Sequence, residues 1–218
     1  MPKYVSLNDE LAAYVDARRH DAGDPLLREL AERTAAATGS AARMQIPGDQ
    51  GAWLTATVAA MGAKRAVEIG TFTGHSSICI ARGLPRGGEL HCFDRSEAYT
   101  AIAREFWSRA GVENRITLHL GDALEQLTGI PEAQLDFAFV DADKAGYDAY
   151  YNALLPRLRP GGLIAFDNML WGGDVIDFEN QDDDTRAIRA LNDRLTSDQR
   201  VDNVLLTIGD GVHLCRKR

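Results

Sequence analysis

Val201-Asp202-Asn203-Val204-Leu205-Leu206-Thr207-Ile208-Gly209-Asp210-Gly211-Val212-His213-Leu214-Cys215 is the stretch that decides the fold. Two strand-like runs, 201–208 and 212–215, are separated only by Gly209-Asp210-Gly211, which reads as a tight β-hairpin. Such a hairpin puts one antiparallel strand at the end of whatever sheet precedes it. Upstream, short apolar runs recur at 66–69, 90–93, 116–120, 137–140 and 163–166, separated by helical stretches such as 96–110 and 147–158. Continuously apolar strands between helices predict a parallel sheet covered on both faces, with right-handed crossovers. Five such strands closed by the hairpin predict a doubly wound, mostly parallel seven-stranded α/β sheet.

Residues before 63 follow a different rhythm and predict three extra N-terminal helices. Ser6 or Asn8 can cap the first, which carries Leu11, Tyr14 and Val15 on one face. Asp24-Pro25 is a cap followed by Pro at the first helical position, and Gly39 closes that helix. The third runs over about 49–62. The expected organisation is therefore a single domain, 1–218, with a helical cap over 1–62 and a Rossmann-like core over 63–218.

The charge excludes some functions. With 24 basic against 32 acidic side chains the net charge is −8, and a net acidic chain without a basic stripe is a poor generic nucleic-acid binder. The densest basic cluster, Arg216-Lys217-Arg218, reads as a solvated tail. The polar first ten residues lack the apolar core of a signal peptide, and no apolar run is long enough for a membrane span. Cys79, Cys92 and Cys215 are widely spaced in apolar segments and read as buried reduced thiols, so a cytoplasmic protein is expected.

In open α/β sheets ligands bind outside the carboxyl ends of the strands, so the residues just past each strand are the candidates. After the first comes Glu68-Ile69-Gly70-Thr71-Phe72-Thr73-Gly74-His75-Ser76-Ser77. Its Gly-x-x-x-Gly spacing is neither a pyrophosphate loop nor a P-loop. It still allows a tight turn before a helix whose amides suit a carboxylate. Asp94 follows the second strand, where an acid hydrogen-bonds ribose hydroxyls or caps the next helix. Asp122, after the third, either contacts an adenine amino group or caps a short helix. Asp141 follows the fourth strand, and Asp167-Asn168 follows the fifth. Three oxygen donors at neighbouring strand ends suit a hard cation such as Mg²⁺, and no His/Cys cluster competes for zinc. Lys144, three residues past Asp141, is either a surface lysine or a general base beside substrate. His91 and His119 read as strand residues, whereas His75 either lines the loop or belongs to the core.

Five strand–helix units followed by a hairpin is the pattern of class I methyltransferases. Residues 67–77, residues 140–144 with Tyr147, and Asp167-Asn168-Met169-Leu170-Trp171-Gly172-Gly173 together resemble the metal-dependent O-methyltransferases of the caffeoyl-CoA and catechol O-methyltransferase family. Met44-Gln45-Ile46 with Gln50-Gly51, and Asp210-Gly211, are similar to that family's opening segment and final hairpin. The match covers roughly residues 40–218. The resemblance implies S-adenosylmethionine (SAM) as methyl donor. It implies Glu68, Gly70, Thr71, Phe72, Gly74 and Ser76 around the methionine half, and Asp94 at the ribose. Ala123, with Asp122 beside it, would lie at the adenine, and Met44, Ile46, Asp141 and Asp143 would border the cofactor. Asp141, Asp167 and Asn168 would hold a divalent cation, Mg²⁺ with Mn²⁺ or Ca²⁺ as substitutes. Lys144 would be the base, assisted by Asp141, and Lys144, Tyr147, Asn168 and Trp171 would meet a phenolic substrate. A homodimer is implied as well.

The expected reaction is methyl transfer to one hydroxyl of a vicinal dihydroxy aromatic. The alternatives are a nicotinamide-dependent oxidoreductase, whose pyrophosphate loop is absent, and a non-catalytic SAM-binding protein, which would not need Lys144 or the oxygen donors.

Overall fold

The computed structural model describes residues 5–131 and 134–218. Three helices come first, α1 (Asp9–Asp16), α2 (Pro25–Thr38) and α3 (Gly48–Ala60). Alternation then sets in with β1 (Arg65–Ile69), α4 (His75–Gly83), β2 (Glu89–Asp94), α5 (Glu97–Arg109) and β3 (Ile116–Leu120). It continues through α6 (Ala123–Leu127), β4 (Leu135–Val140), α7 (Tyr147–Arg157), β5 (Leu158–Phe166) and α8 (Asp183–Ser197), and ends in β6 (Val201–Leu206) and β7 (Val212–Lys217). The seven strands lie in the order β3-β2-β1-β4-β5-β7-β6, and β7 alone runs against its neighbours. This is the doubly wound sheet with a terminal antiparallel hairpin that the sequence predicts.

The two-residue period of the strands sorts their side chains between two cores. Ala66, Leu90, Cys92, Phe137, Phe139 and Ala165 pack toward α2, α3, α4 and α5. Val67, Ile69, Phe93, Ala138, Val140, Ile164 and Phe166 pack toward α6, α7 and α8. Because both faces are covered, the strands read as unbroken apolar runs.

Caps fix where the helices start. Asn8 accepts from the Leu11 amide, Asp24 from Leu26, Ser96 from Tyr99 and Asp182 from Thr185. Of the two caps open for the first helix, Asn8 is the one used. The hairpin is tied by a buried polar chain. Asn192 on α8 donates to the Met169 carbonyl and meets His213 Nδ1 at 2.7 Å, while His213 Nε2 meets Asn203 at 3.2 Å.

Several boundaries differ from the expected ones. β5 starts at Leu158 rather than 163, because Pro160-Gly161-Gly162 interrupts the apolar run but not the strand, which re-registers against β4 between Leu135 and Phe137. β6 ends at Leu206 and α3 at Ala60. Leu11, Tyr14 and Val15 share a helix as expected, yet no residue of α1 is buried. The basic tail is engaged rather than merely solvated. Lys217 donates to the Leu155 and Leu158 carbonyls, and Arg216 and Arg218 pair with Asp202. Among the described residues no helix is long and apolar enough to cross a membrane.

Candidate active site

β1 and β4 are neighbours whose connections leave in opposite directions, so a crevice opens beyond their carboxyl ends. Gly70 turns the chain there with φ 91°, and a Cβ at that position would overlap the Asp141 carbonyl oxygen. Glycine is needed both for the turn and for the close approach. A cavity of about 1400 Å³ fills the crevice, walled by the ends of β1, β2, β4 and β5, by residues 43–47 and by Gln50. Three non-glycine residues have positive φ among the described residues, Phe72 (50°), Asn168 (58°) and Trp171 (50°), and all three line this cavity. Backbone strain of this kind concentrates at functional sites.

On the β1–β2 side, the Asp94 carboxylate accepts from the amides of Thr71, Phe72 and Ser96 at 3.0, 2.8 and 2.7 Å. It therefore holds the glycine loop against the β2 end while itself facing the cavity. Behind the loop, Glu68 is fully buried beside Thr71 and Ser76, and neither carboxylate oxygen has a hydrogen-bond partner. Burial pushes its pKa up to about 8. An unpartnered buried carboxylate is costly unless a cationic group meets it, and the ammonium of a bound amino acid moiety would be such a group. His75 opens α4 against the same cavity; burial holds its pKa down at about 4, and both ring nitrogens lack partners.

On the β4–β5 side, the Lys144 ammonium donates to Asp141 Oδ1 at 3.2 Å, Asn168 Oδ1 at 2.6 Å and the Tyr147 hydroxyl at 2.6 Å. The Tyr147 hydroxyl in turn donates to the Asp167 carbonyl at 3.1 Å. Burial, the largest cause for each, raises the Asp141 and Asp167 carboxyls above the usual range. Mutual repulsion adds to the rise at Asp167. The loop after β5 is gripped by the hairpin turn: Asp210 accepts from Leu170 N through its carbonyl and from Gly172 N through its side chain. Two acids and an amide make an oxygen-only donor set that could hold a hard cation. Among the described residues no three His, Cys, Asp or Glu side chains gather as a metal cluster.

Most of the residues singled out in the sequence do converge here. Met44, Ile46, Gly70, Thr71, Phe72, Ser76, Asp94, Ala123, Asp141, Asp143, Lys144, Asp167, Asn168 and Trp171 all line the cavity. Glu68, Gly74, Asp122 and Tyr147 do not. Asp122 caps α6 and pairs with Arg95 at 2.5 Å, leaving Gly121 and Ala123 to form the wall. Tyr147, expected at the substrate, is buried beneath Lys144 and acts on it instead. His91 and His119 lie on β2 and β3 with ring nitrogens 3.0 Å apart, off the cavity wall. Gln50, fully buried on the wall with neither amide atom partnered, was missed as a site residue. Its Gln-Gly dipeptide gives no local sign that it turns inward.

The whole described fold has well-characterised likenesses. The O-methyltransferase family model matches residues 18–218. A caffeoyl-CoA O-methyltransferase of Populus kitakamiensis is 38% identical over 203 residues, covering 88% of this chain and 86% of the relative. A flavonoid 3',5'-methyltransferase of Vitis vinifera is 40% identical over 185 residues, covering 80% and 79%. The crystal structure of an O-methyltransferase from Bacillus cereus in complex with SAH superposes with a TM-score of 0.86 at 32% identity, covering 95% of this chain and 97% of that one. These likenesses set aside both the oxidoreductase and the non-catalytic reading. With the sheet, the glycine loop and the acid–lysine cluster in place, the chain belongs to the caffeoyl-CoA type of the O-methyltransferase family and is a SAM-dependent methyltransferase.

Proposed function

We propose that this enzyme methylates one hydroxyl of a vicinal dihydroxy aromatic with the help of a divalent cation, Mg²⁺ with Mn²⁺ or Ca²⁺ as substitutes, held by Asp141, Asp167 and Asn168. The observation that carries the reading is the cluster itself, in which the Asp141 carboxylate and the Asn168 amide oxygen take the Lys144 ammonium, while the buried Asp167 carboxylate beside them is paired with no cation among the described residues. One lysine leaves the second carboxylate without a counter-charge, which a cation would supply. Two acids and one amide also leave positions for two acceptor oxygens. A chelated cation would lower the pKa of the reacting hydroxyl.

The chain's own residues do the rest. Tyr147 accepts a hydrogen bond from Lys144 and holds its nitrogen beside Asn168; once the ammonium has released a proton to solvent, the neutral amine takes the acceptor's proton and becomes ammonium again. Asp141 orients Lys144 from the opposite side. SAM would supply an electrophilic methyl, and the residues of the β1–β2 side would hold it: Glu68 at the ammonium, Gly70, Thr71, Phe72, Gly74 and Ser76 along the methionine half, and Asp94 at the ribose. Gly121 and Ala123, braced by Asp122, would wall the adenine, with Met44, Ile46 and Asp143 at the border. Trp171 and Asn168 would face the ring. Holding donor and acceptor in line supplies much of the rate. The test is a panel of rings differing by one hydroxyl. Single-hydroxyl rings should react at least tenfold more slowly, about 1.4 kcal/mol in barrier; equal rates would sink the vicinal requirement.

We also propose one domain, a cytoplasmic setting and a homodimer. Thr34 on α2 bonds Thr73 in the glycine loop at 2.8 Å, which ties cap to core. The three cysteines are buried and free, as in reducing compartments. Tyr14 and Val15 on α1, with Val5 and Leu7 just before it, are apolar and exposed. Light scattering that gives 23.8 kDa throughout the micromolar range would refute the dimer.

A further inference from the structure

The solvent-facing rim of the cavity carries information about what the acceptor ring is attached to. On the side of the loop after β5 the rim is formed by Asp174, Asp184 and Asp210. Their close contacts are with neutral donors: Asp174 accepts from the Asn180 amide at 3.2 Å and Asp210 from Gly172 N at 2.7 Å, while Asp184 is exposed. The basic side chains on the cavity wall do little to offset them. Lys144 is taken up by Asp141, Asn168 and Tyr147, and Arg95 by Asp122, which leaves Arg43 on the wall against the three acids. Arg189, beneath the loop, donates to the carbonyls of Asp174, Val175, Asp177 and Asn180. It fixes the loop's shape rather than meeting a ligand. The N-terminus of α8, which could otherwise receive a phosphate, is occupied by its own acids, Asp182 as cap with Asp183 and Asp184 in the first turn. Independently, the fully buried and unpartnered amide of Gln50 lines the inner wall, so the chamber offers a ligand uncharged polar contacts within.

We propose that this rim selects the methyl acceptor by charge, taking diols whose side chain is uncharged or cationic and rejecting phosphate-bearing coenzyme A thioesters. The inference rests on the vicinal-diol reading. Phosphate recognition needs an arginine or lysine cluster or a free helix N-terminus, and here the corresponding surface is acidic. Exposed like charges repel over roughly 8–10 Å at ordinary ionic strength, so the discrimination is salt-sensitive.

The experiment compares four acceptors with one catechol ring and side chains ending in an ammonium, a hydroxyl, a carboxylate or a coenzyme A thioester. Values of kcat/KM are measured at low and high salt, and repeated for the same four side chains on a single-hydroxyl ring. The ammonium and hydroxyl acceptors should exceed the thioester at least tenfold at low salt, and the gap should narrow at high salt. Asp174→Asn combined with Asp184→Asn should lower the ammonium-to-carboxylate ratio severalfold. Should that variant not fold, the salt series on the unaltered enzyme decides. A thioester matching the hydroxyl acceptor, or a ranking unmoved by salt, overturns the proposal. Equal rates on diol and single-hydroxyl rings overturn the vicinal-diol reading instead, while the charge ranking is still read within either series.

Discussion

Replacing Lys144 by Met keeps the length of the aliphatic stem and removes the ammonium from a space bounded by Asp141 at 3.2 Å and by Asn168 and Tyr147 at 2.6 Å. The side chain is 8% exposed and is the only lysine among the residues lining the cavity, so no second amine can take its place. If Lys144 removes the acceptor's proton, its loss costs the factor that a positioned base contributes, roughly 10²–10⁴ in rate, or about 3–5 kcal/mol in barrier. The glycine loop and Asp94 are untouched, so SAM affinity measured by calorimetry should stay within a few-fold. A free phenol ionises near pH 10. Turnover by Lys144→Met should therefore climb about tenfold per pH unit as the cation-bound acceptor ionises without a base, closing the gap to the unaltered enzyme at or below about pH 10. Methyl transfer at saturating donor, followed from pH 6 to about 10, is the assay. Turnover within tenfold of the unaltered enzyme at neutral pH would refute the base assignment.

Gly70→Ala places a methyl group on the Asp141 carbonyl at φ 91°. Left-handed strain and overpacking together should cost about 2–5 kcal/mol, read by denaturant unfolding, with donor binding lost as β1 and β4 part; a neutral variant would contradict the close approach. Glu68 has its carboxyl raised to about 8 against an ordinary 4.5. The donor-free protein is thus favoured below the ordinary range and loses that contribution as pH rises toward 8. Glu68→Gln should melt progressively higher than the unaltered protein from pH 5 to about 8 without SAM, and lower with it; parallel curves would show that the carboxylate is not strained. Tyr147→Phe removes the hydroxyl between Lys144 and Asp167 and should lower kcat about tenfold with KM little changed, since the ring is buried off the cavity wall; an unchanged kcat would leave Tyr147 a packing residue.

Where local chemistry decides, the sequence is a sufficient guide. Gly209-Asp210-Gly211 allows little but a turn, and Asp24-Pro25 little but a helix start. The five apolar runs are strands because both faces of the sheet are covered. The start of β5 is hidden because Pro160-Gly161-Gly162 looks like a break, and pairing with β4 overrides it. Lys144 could be base or surface lysine until Asp141, Asn168 and Tyr147, brought together by β4, β5 and α7, surround it. Asp122 shows the opposite outcome: of its two readings, adenine contact and helix cap, the cap is the one seen, and Arg95 takes the other oxygen. The inward turn of Gln50 has no local signal, and the positive φ at Asn168 and Trp171 falls in the loop after β5 that the hairpin grips. That contact spans some forty residues and leaves no trace in local pattern.

If Asp141, Asp167 and Asn168 hold a cation, methyl transfer depends on it. The most direct measurement follows transfer of labelled methyl from SAM to a neutral catechol, first after verified removal of bound metal, then with chelator, then with Mg²⁺ restored. Turnover should be lost without metal and recover with Mg²⁺, with SAM affinity largely retained throughout, because the residues proposed to hold the donor, the glycine loop and Asp94, lie apart from Asp167 and Asn168. Full turnover in excess chelator after verified metal removal would contradict it.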